Sequence, residues 1–104
     1  MAKETDVGSW RELRPALLDD ALVLVPIPPL IAMLMNISER EGRDLTEAEV
    51  LGYRDNAVCM VMSRERAEKM AASRGYDDLN LDNVWPDWQA LRAEGEAQAG
   101  ESAA

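Results

Sequence analysis

The longest apolar stretch of the chain, residues 21–35, is interrupted by Pro26, Pro28 and Pro29. A proline inside a helix removes an N–H and clashes with the preceding turn, so no single helix runs through this stretch. It must fold as two elements joined by a proline-marked corner. At 15 residues it also falls short of the roughly 20 needed to span a bilayer. Upstream of the corner, Leu17, Leu18, Ala21, Leu22 and Val25 recur at helical spacing, with an extended 22–25 as the alternative. Downstream, Pro28 and Pro29 suit a first helical turn. Leu30, Ile31, Met33, Leu34 and Ile37 then form an apolar face, and Gly42 ends it.

Other helix boundaries are marked by side chains able to satisfy the free N–H groups of a first turn. Ser9 with Glu12, and Thr46 with Glu49, have the spacing of capping boxes. Ser63 suits the start of a fresh helix that Gly75 closes, with Tyr76 folding back on it, the alternative being one helix that continues through Ser63. After Thr46, a helical projection places Val50, Leu51, Tyr53, Ala57, Val58, Met60, Val61 and Met62 on one continuous apolar arc, which predicts a helix running on towards Ser63. A last helix is expected to begin between Asn83 and Pro86 and to carry Trp85, Trp88 and Leu91 inward. With no Phe and only two Tyr, the residue palette favours helices over strands. The expected fold is an all-α single domain, a compact bundle of four to five short helices over 9–92. A flexible acidic and small-residue tail is expected over 93–104.

Composition narrows the chemistry. The chain has no histidine, which removes Ser–His and Cys–His dyads within one chain. Its single cysteine, Cys59, permits neither an internal disulfide nor a Cys-based zinc site, and a reducing, cytoplasmic setting fits that usage. The glycines are scattered rather than grouped into a phosphate loop, and no pattern implies a cofactor. Residues 1–6 carry Lys3, Glu4 and Asp6 and precede no apolar run, so no secretory signal is expected. The net charge of −9 divides into −2 over 1–38, −1 over 39–74 and −6 over 75–104. Such a chain lacks the clustered cations that bind a phosphate backbone, and its negative charge opposes docking on anionic membranes. Neither nucleic acid nor membrane is an expected partner.

Two groups of residues depart from the structural pattern. Arg54 falls in the middle of the apolar arc, between Val58 and Val61. A guanidinium there needs a carboxylate such as Asp19, Asp20 or Asp87, or else a pocket for an anionic ligand with Asn56 as co-ligand. Asp78, Asn80 and Asp82 alternate like the oxygen ligands that open a calcium loop. Asn83 and Gln89, however, stand where that loop needs Gly and Glu. The competing reading is a linker of Asx turns that caps the last helix. The acid pairs Asp19–Asp20 and Asp77–Asp78 read as a solvated face. On these grounds the expected function is a small acidic protein-binding or regulatory module, with a basic partner steered to it electrostatically. The alternatives are a homodimer paired through the apolar helix 28–41, and a small carboxylate-dependent metal protein or enzyme built on Asp78, Asn80 and Asp82.

Overall fold

The helix that opens at Thr46 ends at Asn56, and the apolar residues after it form a strand, Val58–Ser63, that pairs on both sides. The computed structural model describes residues 1–103, with side-chain positions through Glu94. Among these residues the elements run β1 (Val7–Ser9), α1 (Trp10–Leu13), β2 (Leu22–Pro26), α2 (Leu30–Glu41), α3 (Glu47–Asn56), β3 (Val58–Ser63), α4 (Arg64–Arg74) and α5 (Val84–Ala103). Two 3-10 turns, Arg14–Ala16 and Leu81–Asn83, complete the order. The strands form one antiparallel sheet in the order β1-β3-β2. The fold is therefore mixed α/β, and the all-α helical bundle expected from the sequence is corrected.

The physical reason lies in β3. A strand covered by helices on both faces is apolar at every position and lacks polar–apolar alternation. Cys59 and Met62 are each 1% exposed and Val61 is 0% exposed, although neighbours in a strand point to opposite faces. Such a run also fits an apolar arc on a helical projection, so periodicity alone does not separate helix from strand. The tail expected over 93–104 falls almost wholly on residues whose side chains lie outside the described ones.

The register puts Leu24, Pro26, Cys59 and Val61 on one face of the sheet, and Val23, Val25, Met60 and Met62 on the other. The first face meets α2, α3 and α5, where Cys59 joins Leu30, Leu34, Val50 and Trp88 in the core. Helix α4 packs on β2 and β3 and covers part of the second face, leaving Val7, Ile27 and Val58 exposed. No helix among the described residues is long and apolar enough to cross a membrane.

Local chemistry explains most element ends. Both bonds of the Thr46–Glu49 capping box form, and Ser63 accepts the Arg66 N–H to start α4. Gly42 and Gly75 end α2 and α4 at φ values of 69° and 92°, a left-handed backbone that strains any residue with a Cβ. Helix α2 lacks a cap of its own, because its N-cap is Pro29. Asp78 supplies one from 48 positions away: Oδ2 accepts the Leu30 N–H and Oδ1 the Ile31 N–H, both at 2.8 Å. Oδ1 also accepts the N–H of Leu79 at 2.8 Å. A carboxylate at this position meets the positive end of the helix dipole as well as its free donors.

Asp78→Ala leaves these donors without their acceptor and is expected to lower stability by about 2–3 kcal/mol in urea unfolding. Asp78→Asn keeps one acceptor oxygen and should lose about half as much. A loss below about 0.5 kcal/mol for the alanine variant would show that α2 is held by packing alone.

Candidate functional site

The projection that singled out Arg54 included Val58 and Val61, which are strand residues, yet the Arg54 side chain is only 13% exposed. Its guanidinium lies 4.0 Å from the centroid of the Trp10 ring. Nε donates to Asp55 Oδ1 at 2.8 Å, and Nη1 donates to the Leu81 carbonyl. Its partners are these rather than Asp19, Asp20 or Asp87, and together they tie α3 to α1 and to the Leu81–Asn83 turn. Asn56 is engaged elsewhere, its Nδ2 donating to the Gly52 carbonyl at 3.0 Å in its own helix. The two side chains do not meet at a common ligand position.

The alternating Asp78, Asn80 and Asp82 also have separate partners. Asp78 caps α2, and Asn80 Oδ1 accepts the Asp82 N–H at 3.1 Å as an Asx turn. Asp82 forms a two-point pair with Arg14, with Nε–Oδ1 at 2.7 Å and Nη2–Oδ2 at 3.3 Å. The hydrogen bond to Asp82 raises the Arg14 pKa above its ordinary value. Among the described residues, no three His, Cys, Asp or Glu side chains converge to hold a metal ion. At Cys59, burial, followed by the Asp78 carboxylate, pushes the thiol up to about 11. It is protonated at neutral pH and therefore a poor nucleophile.

Sequence reasoning missed the free edge of β2. Val61 donates its N–H to Asp6 and accepts from Thr5, so its bonds run to the β1 side. Leu24, opposite Val61, consequently points its own N–H and C=O away from the sheet. Leu22 and Pro26 share that parity. The Leu22 N–H is taken by the Asp19 carbonyl at 3.0 Å, and proline has none to offer. The outward N–H and C=O of Leu24 have no backbone partner among the described residues.

The edge lines a groove between α4 and residues 78–82. Two basins, of about 470 and 250 Å³, share Val23, Leu24, Arg64, Leu79 and Leu81. The larger opens at the Leu22 end beside Arg14, Asp19, Asp20 and Asp82. The smaller lies towards the Pro26 end against Ala67, Met70, Ala71 and Asp77. The local sequence builds this site. Asp19 Oδ1 accepts the Ala21 N–H at 2.8 Å, making the turn that starts β2, and Arg64 Nη2 donates to the Asp20 carbonyl at 3.0 Å. Chemically, the groove offers the Leu24 N–H as a donor and the outward carbonyls of Leu22, Leu24 and Pro26 as acceptors, with Leu79 and Leu81 on one wall, Ala67 and Met70 on the other, Arg64 at its middle and acids at both ends.

Two measurements check this geometry. The Leu24 amide should exchange with solvent about a hundredfold faster than those of Val23 and Val25, whose pairs with Met62 and Met60 bond into the sheet. Equal protection would place another element on the edge. Arg54→Met keeps the stem and removes the charge, and it should cost about 2 kcal/mol in urea unfolding through the lost ring contact and hydrogen bonds. A change below about 0.5 kcal/mol would free Arg54 for a ligand. Comparison with protein-family models, curated proteins and solved structures returned no match, so the functional reading rests on this geometry.

Proposed function

We propose that the chain is a protein-interaction module that binds an extended segment of its partner along β2, as a fourth strand of the sheet. The observation that carries this reading is the outward N–H and C=O of Leu24, set in a groove with a wall on either side. Strand addition uses main-chain hydrogen bonds for affinity and flanking pockets for specificity, and both are available here. The alternative of a homodimer through 28–41 has weaker support. Leu30, Leu34 and Ile37 face the protein's own core, and Met35, at 37% exposure, is the large apolar residue of α2 left in solvent.

The test begins with selection of binding peptides from a random displayed library, followed by amide NMR of the chain with a selected peptide. A contact this small is expected to give a dissociation constant on the order of 10 μM. The Leu24 amide should become protected, and shifts should concentrate in β2, α4 and residues 77–82. Perturbations centred on Val7, Ile27 and Val58 would move the interface to the uncovered part of the sheet and defeat the reading. A concentration-dependent dimer that protects Leu24 without peptide would make the edge a self-association site instead.

A further inference from the structure

Resting on strand addition at β2, we infer that the segment recognised is a basic–apolar–apolar–basic tetrad. Side chains of an added strand alternate between the two faces of the sheet. Those opposite Leu22 and Leu24 fall on the side of Leu79 and Leu81, and those opposite Val23 and Val25 fall on the side of α4.

The two positions in the middle, opposite Val23 and Leu24, therefore meet Ala67 and Met70 on one side and Leu79 and Leu81 on the other. The flanking positions meet acids. Asp19 and Asp20 stand at the Leu22 end, and Asp77 and Glu68 stand on the α4 side.

The groove's cations only partly offset its acids, since Arg14, Arg64 and Arg74 stand against Asp19, Asp20, Glu68, Asp77, Asp78 and Asp82 in the two basins. Arg14 is neutralised by Asp82. Arg74 lies 4.7 Å from the Tyr76 ring centroid and donates to the Tyr76 carbonyl. Arg64 is turned to the Asp20 carbonyl. The carboxylates of Asp20, Glu68 and Asp77 have no ion-pair partner among the described residues. Placed on the groove, a neutral or acidic segment leaves them desolvated and uncompensated, whereas lysine or arginine at the two flanks pairs with them. Residues on opposite faces are an odd number of positions apart, so the flanking cations are three residues apart. The pattern reads the same in either chain direction.

The test measures binding of short synthetic peptides by fluorescence polarisation at low salt, with Leu24 amide protection read in parallel. The probes carry Lys-Leu-Val-Lys, Gln-Leu-Val-Gln, Glu-Leu-Val-Glu or the respaced Lys-Lys-Leu-Val between identical neutral flanks. The first should bind at least about tenfold tighter than the second, lose that advantage in high salt, and outbind the respaced peptide. The double variant Asp20→Asn, Asp77→Asn should lose most of the preference for the lysine over the glutamine peptide, Asp19 and Glu68 retaining the remainder. Asp20 and Asp77 are exposed and make no hydrogen bond through the side chain, so the fold is kept. The charge-reversed Asp20→Lys, Asp77→Lys chain should prefer the glutamate peptide. Equal binding of the lysine and glutamine peptides with Leu24 protected would overturn the tetrad and leave strand addition standing. If no peptide protects Leu24, strand addition itself falls.

Discussion

The carboxylate of Asp78 is the contact on which the rest of the arrangement depends. The proline corner that separates β2 from α2 leaves α2 with Pro29 at its N-cap and no local acceptor for its first N–H groups. Asp78 accepts from Leu30, Ile31 and Leu79 together, so the segment after α4 is fastened to the start of α2. That fastening brings Leu79 into the core and sets Leu81 where its carbonyl receives Arg54. It also places residues 78–82 as the wall opposite α4. One side chain therefore completes a helix, helps to close the core and bounds the groove.

Local chemistry was legible in the sequence, and pairing was not. The Thr46–Glu49 box, the Ser63 start, the glycine ends at Gly42 and Gly75 and the inward Trp88 rest on interactions within a few residues of one another, so spacing exposes them. The strands differ. β1 has only three residues, too few for a period to show, and β3 is apolar on both faces because the core takes Cys59 and Val61 while α4 covers the part of the other face that holds Met62. In β2, Leu22 and Val25 also suit a helical stripe, so spacing alone favours a helix over the extended backbone that forms. What holds these segments as strands is their partners across the sheet, and partners are tertiary information.

The candidate site follows the same division. Arg54 was singled out by a projection that wrongly included two strand residues, but a largely buried guanidinium remains, stacked on Trp10. The spacing of Asp78 suits an oxygen ligand, whereas its acceptor capacity serves backbone donors from a distant helix. Nothing in the order of residues 78–83 distinguishes the two uses. The open position at Leu24 is still less visible. It depends on which residues of β3 bond to β1, and a shift of one residue in either pairing would turn Leu24 inward and expose Val23 or Val25 instead.

A free strand edge is a hazard as well as an opportunity, because any extended chain can pair with it. Here the exposure is limited by position. Pro26 has no N–H to give, the Asp19 carbonyl occupies the Leu22 N–H, and the opposite edge belongs to a strand of three residues. The remaining opening at Leu24 is guarded by charge rather than by a covering element. A second copy of this chain arrives with the same net charge of −9, and its own edge brings further carboxylates to the rim. Like-charge repulsion raises the free energy of that encounter and lowers it for a cationic segment. Under the strand-addition proposal, the charge that opposes a second copy at this edge is the same charge that favours a cationic segment, and both effects draw on residues that already build the groove.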